Sequence, residues 1–145
     1  MEPTNQAASK NKIKLNFKDS KYATGRRKKS IAKVWVKKGS GNIHVNGLKM
    51  KEYFKRPVHQ IIVTRPLEIS EVATSYDVMC SVKGGGLSGQ AGAIILGISK
   101  ALITHDENLK KNLKKDKLTT RDSRVVERKK YGHRKARRSF QFSKR

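Results

Sequence analysis

The last eighteen residues constrain this chain most, because they cannot form part of a buried core. Residues 128–145 read RKKYGHRKARRSFQFSKR, with nine Lys or Arg and no acidic residue. The segment lacks apolar residues at a helical or strand period, and its charges repel one another. It could be a solvated charge run, but the mixture of Lys, Arg and aromatic residues favours nucleic acid as its partner. Arg pairs with phosphate, and Arg and aromatic rings stack on bases.

The whole chain shares this charge imbalance. In 145 residues, 35 Lys and Arg stand against 11 Asp and Glu, a net charge of +24. A partner must neutralise this self-repulsion, which disfavours a self-contained soluble enzyme. Apolar residues make up 35%, so the expected core is small. The single cysteine, Cys80, excludes an intrachain disulfide and cysteine-based zinc sites, and it suits a reducing compartment.

Composition also predicts the domain organisation. We expect a flexible N-terminal extension at residues 1–21, a globular RNA-binding domain at 22–129 and an extended basic tail at 130–145. In the extension, Ile13, Leu15 and Phe17 alternate with polar residues and could instead form a short adhering strand. The N-terminus lacks an apolar signal core and is a poor transit peptide. No run of eighteen apolar residues occurs, so no membrane-spanning helix and no membrane partner are expected.

Turn residues and alternation predict the first half of the fold. Residues 31–37 favour a strand, Gly39-Ser40-Gly41 a turn and residues 42–45 a returning strand, which together predict a hairpin. Asn46-Gly47 marks another turn, and residues 48–54 suit a short helix. Pro57 is placed to begin a second helix, which Pro66 should end.

The second half adds a strand and the longest helix. Residues 76–82 alternate and predict a strand, and an apolar stripe predicts a helix from 88 to about 105. Residues 108–117 form a helical continuation or a loop, and residues 124–128, with two valines, a last strand. This order predicts an α+β fold, with one small, mostly antiparallel sheet covered by helices on one face.

The glycine motif Gly84-x-Gly86-x-x-Gly89 follows a strand and precedes a helix, as in a dinucleotide-binding fingerprint. That fingerprint expects an acidic residue at the end of a second strand. Here Asp106 and Glu107 end the helix itself. The glycines are therefore structural, or they open a helix N-terminus that faces an RNA phosphate.

Other chemistry is absent from the sequence pattern. The four histidines are not spaced with one another or with Cys80 for zinc, and no catalytic triad or carboxylate pair occurs. We expect no catalytic residue, no metal and no cofactor, and Cys80 should be a small core residue. The compact basic cluster at residues 26–29 is either a solvated turn or a phosphate contact, and its setting in a strongly basic chain favours phosphate.

Four segments resemble a known family. They are YATGRRKKSIAKV at 22–34, EYFKRP at 52–57, GGGLSGQAGA at 84–93 and TRDSRVVERKKYGHRKARRSFQFSKR at 120–145. The last two are long and specific. Over about residues 22–145 the chain resembles the small-subunit ribosomal protein S9 family, in its bacterial and organellar form.

The resemblance implies a fold and a function. The fold is that of ribosomal protein S5 domain 2, a four-stranded sheet with helices and a left-handed crossover. The function is that of a structural, non-enzymatic constituent of the small ribosomal subunit. The protein would bind ribosomal RNA in the head, beside neighbouring head proteins, and its tail would contact the anticodon stem-loop of peptidyl-site tRNA. It would reside in the bacterial cytoplasm, the mitochondrial matrix or a plastid.

The residues and the resemblance together give the expected sites. The tRNA-binding residues are Ser143, Lys144 and Arg145. The rRNA-binding residues are Arg26, Arg27, Lys28, Lys29, Gly84, Gly85, Ser88, Gln90, Arg121, Arg124, Arg128, Lys129, Lys130, Arg134, Lys135, Arg137 and Arg138. Ile95 and Leu96 depart from the Arg and His that relatives commonly carry, which removes any RNA contact made there and suggests that Ile95 faces the core or another protein.

Two rival functions remain. A free-standing nucleic-acid chaperone or DNA-compacting protein explains the charge but not the glycine motif and the long helix behind it. An enzyme that binds a nucleotide with the glycine loop is the third hypothesis.

Overall fold

A five-stranded mixed sheet with helices on it forms the body of the protein, as seen in a computed structural model that describes residues 18–144. The strands are Lys21–Arg27 (β1), Ser30–Lys38 (β2), Ile43–Val45 (β3), Leu48–Lys49 (β4) and Tyr76–Lys83 (β5). The helices are Met50–Tyr53 (α1), Pro57–Ile69 (α2), Leu87–His105 (α3) and Leu109–Lys115 (α4). The α+β class is as expected, but the sheet has five strands instead of the expected four.

The strand order in the sheet is β1-β2-β5-β3-β4. Three neighbouring pairs are antiparallel, and β3 and β5 are parallel. The chain passes from β3 to β5 through β4, α1 and α2. The mostly antiparallel sheet predicted from the sequence is therefore correct, with one crossover connection.

The predicted hairpin between β2 and β3 is wrong. Instead, β5 lies between them, because its eight residues form a full antiparallel ladder with β2, which the three residues of β3 could not match. The Asp77 carboxylate at the start of β5 accepts hydrogen bonds from the backbone N–H groups of Ser40 and Asn42, at 3.0 and 2.8 Å. These two hydrogen bonds hold the loop after β2 in a conformation that does not fold back tightly beside β2. The first hairpin is β1–β2, which closes through Lys28 and Lys29.

The core lies between the sheet and α3. Alternate residues of β2 are buried, as are alternate residues of β5. β1 approaches α3 so closely that a Cβ on Gly25 would collide with the carbonyl oxygen of Ala93. A Cβ on Gly97 would lie 2.5 Å from Val34 Cγ2. Glycine at these two positions therefore permits the closest helix–sheet contact of the fold.

Helix α3 confirms the longest helix predicted from the sequence. By length and composition it is the one described helix that could cross a membrane. Eleven of its nineteen residues are buried, and it packs on β1, β2 and α2. Its apolar character is therefore that of a core helix.

Two expectations for the smaller helices need correction. The helix that begins at Pro57 continues past Pro66 to Ile69, because Pro66 and Leu67 are buried in its last turn. Proline there removes only one backbone hydrogen bond, which the packing outweighs. Residues 48–54 divide into the two-residue strand β4 and the single turn α1. Residues 108–117 contain the short helix α4, whose Leu113 is fully buried.

The predicted last strand at residues 124–128 is wrong. Residues 121–130 contain no helix or strand. The Asp122 carboxylate accepts the backbone N–H of Arg124 at 3.0 Å, and Val126 is 82% exposed, so this segment has no ladder partner. Most of the flexible extension expected at residues 1–21, including the segment from Ile13 to Phe17 that could instead form a strand, lies outside the described residues, as does Arg145.

Candidate nucleic-acid interface

The basic cluster at residues 26–29 forms the end of the β1–β2 hairpin. Successive side chains of a strand point to opposite faces, so Arg26 and Arg27 point away from each other. Lys28 and Lys29 occupy the turn, and both are exposed. Lys28 has a φ of 51°, a left-handed conformation that costs about 1 kcal/mol for a residue with a Cβ. The hairpin thus presents two lysines at its tip, one of them in a strained backbone conformation.

Arg27 lies on the helix side of the sheet. Its side chain crosses α3 at Gly92, where a Cβ would collide with Arg27 Cδ. Its guanidinium forms an ion pair with Asp122, with 3.2 Å between Nη2 and Oδ2. Arg27 Nε is buried and has no hydrogen-bond partner within the protein. Arg27 therefore joins the hairpin, α3 and the segment that follows α4.

Asp122 holds two arginines at the start of the C-terminal segment. Its carboxylate also accepts from Arg124, with 3.1 Å to Nε and 3.0 Å to Nη2. These side-chain bonds, followed by the Arg124 backbone N–H and the charges of Arg124 and Arg27, hold the pKa of Asp122 well below its usual range. Asp122 is therefore ionised at neutral pH, and it fixes where the basic segment leaves the fold.

The glycine loop before α3 packs on the hairpin. Gly84 and Gly85 have φ values of 75° and 63°. Ser30 Oγ donates to the Gly84 carbonyl at 2.9 Å, and a Cβ on Gly85 would collide with the same hydroxyl. No described strand follows α3, so the β-α-β unit of a dinucleotide site is not formed. The positive φ values explain why glycine is needed at both positions. The exposed loop lies beside the hairpin tip, and the RNA contacts expected of Gly84 and Gly85 stay predictions.

Ser88 and Gln90 support this loop through contacts inside the protein. The Gln90 amide accepts from the Tyr53 hydroxyl at 2.7 Å and donates to the Gly84 carbonyl at 3.3 Å. Ser88 Oγ lies 3.0 Å from Nε2 of the buried His59. These polar groups thus already have partners inside the protein. The RNA contacts expected of Ser88 and Gln90 remain predictions.

The sequence gives no sign of how Asn46 holds the end of β5, just before the glycine loop. The sequence predicts only a turn at Asn46. In the structure its side-chain amide accepts a hydrogen bond from the N–H of Val82 at 2.8 Å and donates one to the carbonyl of Val82 at 3.1 Å. Its φ of 52° beside Gly47 suits the two-residue hairpin between β3 and β4. The Asn-Gly pair signalled the turn, but nothing in the sequence indicated that the amide reaches β5.

The C-terminal segment is exposed and folds back once. Glu127 accepts two hydrogen bonds from Arg137, both at 2.7 Å, and these lower the pKa of Glu127. The Arg134 guanidinium lies 5.1 Å from the centre of the Phe140 ring. Tyr131 and Phe142 are largely or fully exposed. Cations and rings thus alternate on a surface that the core does not use.

The remaining expected RNA-binding residues lie on the surface. They are Arg121, Arg128, Lys129, Lys130, Lys135, Arg138, Ser143 and Lys144. Ile95 and Leu96 line a hollow of about 160 Å³ together with Leu118 and Arg27. These two positions therefore lie against the chain's own C-terminal segment.

Metal and thiol chemistry find no support in residues 18–144. No group of three or more His, Cys, Asp or Glu in this range could hold a metal ion. Cys80 is buried in the core, as expected, and burial raises the pKa of its thiol. It is therefore an inert core residue.

Comparison with protein families agrees with the resemblance seen in the sequence. The family model described as ribosomal protein S9/S16 matches residues 25–145, which is most of the chain. Ribosomal proteins of this family are structural rather than enzymatic, and they bind ribosomal RNA in the small subunit. The chain therefore belongs to the ribosomal protein S9/S16 family, as a structural protein of the small ribosomal subunit.

Proposed function

We propose that this protein binds small-subunit ribosomal RNA in the head of the subunit through its hairpin tip, its glycine loop and its C-terminal segment. The observation that carries the proposal is the exposed C-terminal segment, which is rooted on the fold by the ion pair between Arg27 and Asp122. A net charge of +24 on a chain of this size needs a polyanion to neutralise it. Phosphate placement and RNA shape suffice for such binding, without reading of base sequence.

The tail is proposed to reach peptidyl-site tRNA. Fourteen residues from Gly132 onward could span about 45 Å if fully extended. Lys144 and Arg145 at the end would then contact phosphates of the anticodon stem-loop, with Ser143 beside them. Family resemblance supports this role, and so does the exposure of the described tail residues. We expect the bend held by Glu127 and Arg137 to open when RNA supplies phosphates to Arg137.

Neighbouring head proteins are proposed as further partners. Val58 and Ile61 lie one turn apart on α2, and each is 63% exposed. Apolar side chains exposed together on one helix face suit a protein contact better than a phosphate. The site of action is proposed to be a bacterial ribosome or the ribosome of a mitochondrion or plastid.

Salt dependence tests the proposed RNA binding. The full chain is titrated with an RNA fragment of the small-subunit head at several salt concentrations. Affinity should fall by about 0.7 to 0.9 log units per log unit of salt for each phosphate neutralised. A shallow dependence would contradict electrostatic binding. Cosedimentation with small subunits at moderate salt separates the proposal from a free nucleic-acid chaperone, which would stay soluble or follow DNA.

The tRNA contact is tested separately. Small subunits are assembled with the full chain or with a chain that lacks Lys144 and Arg145. The truncation should weaken tRNA binding at the peptidyl site modestly while assembly is unchanged. Equal tRNA affinity in the two particles would remove the tail from this role and leave the ribosomal RNA contacts standing.

A further inference from the structure

An aromatic pair lies on the face of the sheet that points away from α3. Tyr22 of β1 is directly opposite Trp35 of β2, and their ring centres are 5.4 Å apart with the planes tilted by 45°. Tyr22 is 48% exposed, and Trp35 is half-buried. Neither ring belongs to the core or to the contacts described above.

No described helix covers this face. The inward residues Ala32, Val34 and Val36 of β2 are fully buried, whereas the outward Ile31 and Lys33 are exposed. Among the described helices, α3 alone makes extensive contact with β1 and β2, and it lies on the inward side. Within residues 18–144, the outward side of these two strands is therefore left open to a partner.

The surroundings of the aromatic pair are basic. Arg26, Lys33 and Lys83 are exposed outward residues of β1, β2 and β5. Among the outward residues of these three strands Asp77 is the single acid, and its carboxylate accepts hydrogen bonds from the loop after β2. An anionic partner would thus meet cations around two rings.

We propose that unpaired bases of ribosomal RNA stack on Tyr22 and Trp35, with Arg26, Lys33 and Lys83 on the adjoining phosphates. Rings and cations interleaved on an open sheet suit single-stranded RNA, because every unpaired base has a face that can stack. Double-helical RNA keeps its base faces inside the duplex, so it cannot use the rings in this way. This inference rests on the proposed function and adds a specific surface and an RNA conformation.

The chain contains one tryptophan, so Trp35 emission reports on this face alone. The full chain is titrated with a single-stranded RNA oligonucleotide and with an RNA duplex of equal phosphate number. The single strand should quench Trp35, and the duplex should not. Tyr22→Leu should lower single-strand affinity by about tenfold and leave the salt slope unchanged, since stacking releases no counterions.

A matched pair of charge variants separates this face from the rest of the surface. Lys33→Gln should reduce the salt slope by about 0.7, the value for one phosphate on a single strand. Lys100→Gln removes the same charge from the exposed side of α3 and should leave Trp35 quenching unchanged. Equal effects of the two substitutions on the salt slope of Trp35 quenching would overturn the proposal.

Three further results would overturn it. Steeply salt-dependent binding of head RNA with unchanged Trp35 emission and full affinity in Tyr22→Leu would refute this surface and leave the proposed function standing. No affinity for either RNA would refute both. In assembled small subunits, a photo-crosslinking side chain placed at Tyr22 should capture ribosomal RNA, and capture of a neighbouring protein instead would show that a protein occupies the face.

Discussion

At the scale of single residues, this fold depends on positions where a side chain would not fit. Gly25 is the clearest case, because the carbonyl of Ala93 occupies the place of its missing Cβ. Gly86, at the start of α3, has no atom within 4 Å of that place and an ordinary φ of −106°. The two glycines therefore offer a test of which positions the packing requires.

Gly25→Ala should lower the free energy of unfolding by about 3 kcal/mol, because β1 must move away from α3. Gly86→Ala should change it by less than about 1 kcal/mol. Urea unfolding followed by circular dichroism measures both. Equal losses in the two variants would contradict the close packing of β1 on α3.

Asp77 makes stability depend on pH. Burial pushes the pKa of Asp77 upward, but hydrogen bonds from Asn42 and Ser40 outweigh this and lower it below its ordinary value of 3.8. A carboxylate with a lowered folded pKa stabilises the protein above its ordinary pKa, and this contribution is lost as the pH falls through the folded value. Asp77 should therefore stabilise the fold at neutral pH and cease to do so in acid.

Asp77→Asn should cost about 1 kcal/mol of unfolding free energy at pH 7, because hydrogen bonds to a charged acceptor are stronger than those to an amide. The difference from the parent chain should shrink as the pH falls below 3.8. Unfolding curves at pH 7 and in acid measure it. A difference that stays constant with pH would show that the charge of Asp77 is irrelevant.

At the scale of elements, the periodicity of apolar residues predicted the helices and strands that depend on local sequence alone. The stripe of α3 and the alternation of β5 are long enough to be read directly, and both elements form as expected. Strand pairing depends on residues far apart in the chain. The hairpin assigned to β2 and β3 failed because β5, some thirty residues later, supplies a longer partner, and the strand expected at Val125 and Val126 failed because no strand edge receives it.

At the hairpin tip, two lysine substitutions distinguish an effect on stability from an effect on RNA binding. Lys28→Gly should raise the free energy of unfolding by about 1 kcal/mol, since glycine adopts a positive φ without strain. Lys29→Gly removes the same charge at a residue without a positive φ, so it should not stabilise. If the tip contacts phosphate, each variant should lose about 0.7 from the salt slope of RNA binding.

Chemical denaturation and RNA titration of the same two preparations provide the measurements. Stabilisation by Lys29→Gly equal to that by Lys28→Gly would contradict a strained turn. An unchanged RNA salt slope in both would remove the hairpin tip from the RNA interface.

At the scale of the whole molecule, composition and motifs predicted the class of partner. They did not predict which polar and basic side chains bind other residues of the same chain. The sequence shows Arg26 and Arg27 as equivalent, and only the fold reveals that Arg27 is committed to Asp122. Likewise, Ser88 and Gln90 belong to a recognisable glycine motif, but their bonds to His59 and Tyr53 depend on tertiary packing. The exposure of the described C-terminal residues could be predicted, because their charge excludes them from any core.

Asp122 should determine how firmly the tail is attached. Asp122→Asn should speed trypsin cleavage after Arg121 and Arg124, because the neutral amide no longer holds Arg27 and Arg124 as ion pairs. Asp116→Asn, an exposed position after α4, is the matched control and should cleave at the parent rate. Cleavage rates that do not distinguish the two variants would show that the segment is held by other contacts.

Arg26 and Arg27 point to opposite faces of β1, so a change in the length of this strand would change which face each side chain occupies. β1 pairs with β2 over seven consecutive residues, from Lys21 to Arg27, with no bulge. Inserting or deleting one residue within that ladder would shift the register on one side of the change, and so would either exchange the two guanidiniums or turn Tyr22 toward α3. We therefore expect insertions and deletions of single residues inside β1 to disrupt the fold.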